Sequence, residues 1–395
     1  MRSLVTLIVA AGLGLSLVPG TARAQSAAPT ARTAAARTAS DPADLERSGF
    51  WWHRPRCETV TGDGSVSFTR DGGRTVAPTT GVLKPVTYVT GLTPLARPNH
   101  LLAVDDRGRL SRSRDAGCTW DAFAALPSRG TWSIIPTPDG AAYLWSFRGD
   151  RVYRVDGTTV SEGPAFDAER LGGLVTLTAD RWRPWHLRGV TKLGRVLDSR
   201  DGGRSFRPIG AAPVEDAGPH YLVYDAKIAP SRPDHIVLGM TDLGGLTSTD
   251  GGRTWRRTKI GRPGDRVNGF TIAMSPIDPR IVFIQGLNVT ELDEGGPGGG
   301  RHLYRSADGG RSFQPVVDQD AQVTITNGGL VVPSPWDRDL VYFEYGDPVV
   351  RTELYTYNTR TRQLSITRDP HDGIKSIAFN PGARDVMYLG FIEER

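Results

Sequence analysis

Ser248-Thr249-Asp250-Gly251-Gly252-Arg253-Thr254-Trp255 is the stretch whose reading decides the fold. It recurs as Ser199-Arg200-Asp201-Gly202-Gly203-Arg204-Ser205-Phe206 and as Ser306-Ala307-Asp308-Gly309-Gly310-Arg311-Ser312-Phe313. Looser copies are centred on Asp71 and Asp115. Each copy lies between two short strand-like runs, such as Leu303-Tyr304-Arg305 and Phe313-Gln314-Pro315-Val316, so it reads as a hairpin turn. The residue types suit that place. The Asp carboxylate and the Ser or Thr hydroxyl accept backbone N–H bonds inside the turn. A glycine supplies positive φ without steric cost, and the closing Trp or Phe offers apolar surface to a neighbouring sheet.

A second hairpin alternates with the first. Lys227 to Leu238 reads as strand, tight Pro turn, strand, and Thr271 to Phe283 repeats it. Further copies run from Leu330 to Val341 and from Ile377 to Met387, with weaker ones near Thr93-Pro94, Thr137-Pro138 and Ala179-Asp180. Degenerate turns of the first kind fall at Tyr153–Thr158 and Leu354–Thr359, where the spacing requires them. Two hairpins make a four-stranded blade, and seven blades of about 50 residues account for the globular segment. The expected fold is therefore all-β: a single seven-bladed β-propeller over 49–395. The chain opens on the unpartnered Asp71 hairpin and closes on the unpartnered 374–391 hairpin. These two are expected to share the last blade, which closes the ring, removes free sheet edges and accounts for both ends of the segment. No helical period is found in it.

The octapeptides resemble the Asp box, or bacterial neuraminidase repeat, of the superfamily that includes sialidases, xyloglucanases, sortilin-type receptors and non-enzymatic exported bacterial propellers. The resemblance implies that Asp71, Asp115, Asp201, Asp250 and Asp308 are structural and lie on the rim opposite the usual binding face. Sialidases carry an Arg-Ile-Pro motif, three arginines, a Tyr–Glu pair and an Asp. This chain has no Arg-Ile-Pro, and Tyr342, Glu344 and Tyr345 are the nearest match to the Tyr–Glu pair. Xyloglucanases use two propellers, and one is expected here.

Residues 1–24 read as a secretory signal, with Arg2, an apolar run from Leu4 to Val18 and the Ala22-Arg23-Ala24 cleavage pattern. The run is too short for a transmembrane helix and no other stretch is long and apolar enough to span. Residues 25–48 are an Ala/Thr/Pro-rich leader expected to be disordered. The mature chain is expected to be secreted or periplasmic, and monomeric. Loss of Arg2 and Arg23 takes the net charge from +5 to +3, too little to argue for nucleic acid. Cys57 and Cys118 are the two cysteines of an exported chain and form a disulfide candidate, the alternative being two unpaired thiols.

No metalloprotease, redox, nucleophile-elbow or phosphate-loop motif is present. Candidate ligand-binding residues come from conspicuous loops expected on the face away from the octapeptide turns. They are Glu215, Asp216 and His220; Glu291, Asp293 and Glu294 in the long Gly286–Arg301 segment; and Glu344, Tyr345 and Asp347. Converging carboxylates supply acid and base for glycoside cleavage, or oxygen ligands for Ca²⁺, or are solvated loop charges. No cofactor is implied and no catalytic residue is assigned. The favoured reading is an exported module that binds a glycan, a peptide or a cell-envelope component. The alternative is a glycoside hydrolase of exo-sialidase-like type, which would need two carboxylates facing each other across one pocket.

Overall fold

The computed structural model describes residues 51–213, 221–320, 323–325, 329–345, 353–368 and 373–393. The signal and leader segments, together with Glu215, Asp216, His220 and Asp347, lie outside them. The chain divides into two units, Met1–Thr38 and Ala39–Arg395, and all the described residues belong to the second.

Strands follow one another as antiparallel meanders. Sheet 1 starts at Thr87–Pro94, sheet 2 at Trp132–Pro136, sheet 3 at Leu174–Ala179, sheet 4 at Val223–Ala229, sheet 5 at Val267–Met274 and sheet 6 at Val331–Pro333; each continues through three further strands in sequence order. A further set of strands, sheet 7, joins both ends of the described chain and is continuous with sheet 1 through the pairs Thr87 to Glu393 and Tyr88 to Ile392. Gly373–Phe379 pairs with Met387–Glu393, which pairs in turn with Val66–Thr69 in the register Ser67 to Leu389 and Phe68 to Tyr388. The first strands of neighbouring sheets contact one another from sheet 7 through sheet 1 to sheet 6. Leu330, Val332 and Tyr342 of sheet 6 pack with Ile374, Ile377 and Leu389 of sheet 7, completing the circuit. This is a β-propeller.

The apolar runs explain why sheets stand face to face. In Ile236-Val237-Leu238 all three side chains are fully buried, where a sheet with one wet face would alternate. Ile236 and Leu238 pack with Val190 and Val196 of sheet 3, while Val237 packs with Ile272, Val282 and Phe313 of sheet 5. Side chains on opposite faces of one strand thus serve two neighbours, and each sheet is buried by the next. Ala229, Ala273 and Ala378, on first strands near the axis, are buried too.

The octapeptide turns share one hydrogen-bond pattern. At Ser248–Trp255, the Ser248 hydroxyl donates to Asp250 Oδ1 (2.8 Å) and accepts from the Gly252 N–H (2.8 Å). Asp250 also accepts from the Thr254 N–H (2.9 Å) and hydroxyl (2.6 Å). Gly251 and Gly252 have φ of 76° and 85°, the region where glycine is favoured. The Trp255 indole N–H donates to Ala211 O of sheet 3 at 3.1 Å, tying the turn to the neighbouring sheet. Asp71, Asp115, Asp201 and Asp308 accept from the residue four positions on in the same way.

Cys57 and Cys118 are joined by a disulfide with Cα atoms 5.7 Å apart. It ties the segment preceding sheet 7's Val66–Thr69 to the octapeptide turn of sheet 1.

The segment Gly286–Arg301 departs from expectation. The sequence pattern assigns it no secondary structure, yet strand Val282–Asn288 runs straight into a helical turn Val289–Asp293, followed by a 3-10 turn Pro297–Gly300. The cause is local. The fully buried Asn288 caps the helical turn, its side chain accepting from the Glu291 N–H at 3.2 Å. Gly300 has φ of 70°, and a Cβ there would meet Asn288 O at 2.2 Å, so the close return of the chain requires glycine.

Candidate functional site

The first strands of sheets 2 to 7 line a central cavity of about 750 Å³. Their geometry aims side chains into it through a repeated irregularity. Five first strands carry a register shift against their partner, leaving Thr90, Val175, Tyr224, Phe270 and Lys375 unmatched in the ladder. A bulge of this kind bends the strand and re-aims the extra side chain. Val175, Tyr224, Phe270 and Lys375 all line the cavity. Tyr224 and Phe270 lie against each other, ring centroids 4.9 Å apart. Trp145 and Phe147, at the end of the second strand of sheet 2, add aromatic wall.

Two oppositely charged sets face the cavity. Asp225 and Lys227 on sheet 4 are closed on each other, Lys227 Nζ donating at 2.9 and 3.0 Å to the two carboxylate oxygens. Asp225 also accepts from the Ala226 N–H (2.7 Å) and, across the sheet boundary, from the Ile272 N–H (2.9 Å). All its acceptor capacity toward the cavity is therefore engaged. Glu344, on the second strand of sheet 6, differs. Its Oε1 accepts from the Leu330 N–H at 3.0 Å, while Oε2 is buried without a partner among the described residues. Burial raises its pKa to about 7, against the lowering effects of the Lys375 charge and the Leu330 N–H.

The other candidates take different places. Glu291 lies with His302 (2.8 Å) and accepts from Asn288 Nδ2 (2.9 Å), with Asp318 on the far side of the His302 ring (2.7 Å). Asp293 and Glu294 pair with Arg266 and Arg262, both at 2.7 Å. None of these three carboxylates lines the cavity. Tyr345 closes strand Leu340–Tyr345. Of the candidates whose side chains are described, Glu344 alone lines the cavity. Asp225, Lys227, Lys375, Tyr224 and Phe270 are not among the residues the sequence reading picks out. Their signal is a charged or aromatic residue inside an otherwise apolar first strand, as in Val223-Tyr224-Asp225-Ala226-Lys227-Ile228. Among the described residues no group of three His, Cys, Asp or Glu side chains is placed to hold a metal ion, and no helix is long and apolar enough to cross a membrane.

No protein-family profile matches the chain. The chain is 40% identical over 359 residues to the dispase autolysis-inducing protein of Streptomyces mobaraensis, a match covering 87% of this chain and 90% of that protein. Among solved structures it is similar to YCF48 bound to D1 peptide, with a TM-score of 0.54 and 12% identity over 78% of this chain and 95% of that one. It is also similar to an ancestral GH74 enzyme, with a TM-score of 0.52 and 13% identity over 78% of this chain and 44% of that one. At these identities the two structures speak for the shared propeller fold.

Proposed function

The chain belongs to the family of the dispase autolysis-inducing protein of Streptomyces mobaraensis, and we infer that it is an exported partner-binding propeller. It engages a protease through the mouth of its central channel and promotes that protease's self-digestion, the effect for which its relative is named. The observation that carries this reading is the channel itself. It is lined by aromatic side chains and by charges of both signs projected from the first strands, the furnishing of a site for a protein segment. The peptide complex formed by a propeller of similar fold supports a peptide-like occupant. The octapeptide turns, read as Asp boxes, serve the scaffold. Export agrees with the signal-like first 24 residues and with a cysteine pair held as a disulfide.

Glycoside cleavage fits the channel less well. It needs two working carboxyl groups flanking one bond. Asp225 has its oxygens engaged by Lys227 and two backbone N–H groups, leaving Glu344 as the one open carboxyl on the cavity wall among the described residues.

The test mixes the purified chain with dispase and follows intact protease on gels, residual proteolytic activity, and complex formation by size exclusion. Accelerated loss of the intact protease, scaling with the amount of propeller, is expected. Identical decay curves with and without the propeller, together with no complex, would remove the proposal.

A further inference from the structure

Among the described residues the cavity wall carries five titratable side chains: Tyr224, Asp225, Lys227, Glu344 and Lys375. Asp225 and Lys227 satisfy each other. Glu344 and Lys375 do not. Lys375 is close enough for its charge to act on Glu344, yet the two make no ion pair, and no hydrogen bond of the Lys375 ammonium is found among the described residues. Glu344 is only 6% exposed, and its Oε2 meets no donor. An acceptor buried in this way costs free energy unless something supplies the missing donor. Lys375 is also the bulged residue between Ile374 and Ser376, the irregularity that aims it toward the axis. A cation and a carboxyl are thus both directed into one cavity and held apart.

The ligand group that completes this arrangement needs a donor for Glu344 and an acceptor for Lys375, close together. A simple amine would leave Lys375 unmatched. A carboxylate would pair with Lys375 yet hold Glu344 to its neutral form, whereas an ammonium answers Glu344 in its ionised form. The first residue of a peptide supplies both, since its α-ammonium carries three donors and its own carbonyl oxygen is three bonds away. Tyr224, Phe270 and Phe147 offer apolar and aromatic surface in the same cavity for the first side chain.

We propose that Glu344 and Lys375 form a recognition site for the free N-terminus of a peptide chain, the α-ammonium donating to Glu344 Oε2 and the first carbonyl oxygen accepting from Lys375 Nζ. The inference rests on the partner-binding reading and sharpens it. Each cut in a self-digesting protease releases a new N-terminus, so the site would hold products of the reaction that the propeller promotes.

The experiment is calorimetric titration of the whole mature chain with three versions of the peptide Phe-Ala-Ala-Ala. One has a free amine and an amidated C-terminus, one is acetylated and amidated, and one has both ends free. The two free-amine peptides are expected to bind alike, and acetylation to weaken binding by about tenfold or more. Glu344→Gln and Lys375→Met, with folding checked by circular dichroism, should each weaken free-amine binding by about tenfold. Glu344→Gln should in addition erase the preference over the acetylated peptide. Equal affinity of wild-type protein for free and acetylated peptides, dependence on the C-terminus in place of the N-terminus, or absence of any peptide binding would overturn the proposal. The comparison among peptides on wild-type protein needs no variant. Failure here with dispase autolysis still accelerated leaves the partner-binding function standing. N-terminal selectivity with no effect on dispase separates the two the other way.

Discussion

Replacing Ser248 by Ala should destabilise the propeller more than replacing Asp250, although the aspartate is the residue by which the turn is recognised. The difference follows from where each bond sits. Ser248 is 2% exposed, and its hydroxyl is the acceptor for the buried Gly252 N–H at 2.8 Å. Removing it strands a buried donor, at a cost of about 1–3 kcal/mol. Asp250 accepts from the Thr254 N–H and hydroxyl at the exposed side of the turn, where water replaces the lost acceptor. Its loss should therefore fall near about 1 kcal/mol. The two side chains share the Ser248–Asp250 bond at 2.8 Å, so the double variant should cost less than the sum, by about 0.5–1 kcal/mol. Urea unfolding at neutral pH, followed by tryptophan fluorescence and far-ultraviolet dichroism, measures all four proteins, midpoints being compared at equal slope. A pH series adds a sign. Hydrogen bonds from Thr254 hold the Asp250 carboxyl below the ordinary carboxylate range. Its stabilisation is present above the unfolded value of about 3.9 and is lost as pH falls through the lower folded value. The gap between wild type and Asp250→Ala should narrow in acid, whereas that for Ser248→Ala should persist. A larger penalty for Asp250→Ala, or strict additivity, would refute the reasoning.

Opening the Cys57–Cys118 disulfide releases a sequence separation of 61 residues, worth about 4 kcal/mol in the chain-entropy account. Urea midpoints of Cys57→Ser/Cys118→Ser and of reduced wild type should fall together, and a double variant as stable as oxidised wild type would count against the assignment. Glu344, raised to about 7 by burial, favours its neutral form in the fold. Stability should therefore decline as pH rises from the unfolded range near about 4.3 through about 7, by at most about 4 kcal/mol. Glu344→Gln should flatten that decline between pH values of about 5 and 8, and parallel pH slopes in the two proteins would contradict the burial argument. Deleting 292–299 removes the exposed pairs Arg266–Asp293 and Arg262–Glu294, each worth about 0–1 kcal/mol. Melting should shift little and channel binding not at all; lost peptide affinity would place this segment in the site.

The parts that could be read from the sequence are those whose causes lie within a few residues of one another. The bonds that Ser248 and Asp250 side chains make within the turn span two to four positions, so the octapeptide carries its own structure wherever it recurs. Pairing of Val66–Thr69 with Met387–Glu393 is far from local, yet it follows once hairpins alternate and one is left over at each end. The site is of another kind. Whether Lys375 points at the axis depends on a one-residue slip between two strands, and no residue in Gly373–Phe379 announces that slip. Loop acids attract attention in a sequence because they stand beside glycines, but Asp293 and Glu294 are answered by Arg266 and Arg262, arginines 27 and 32 positions earlier. Glu344 stands out in the sequence for its tyrosine neighbours, whereas what matters in the fold is its burial beside Lys375 and its open oxygen. The physical distinction is one of cost. A carboxylate on an exposed loop is solvated and needs no reason to be there. One set into the apolar second strand Leu340–Tyr345 opposes folding unless it is answered, so a chain that keeps it there points to a ligand as the missing partner.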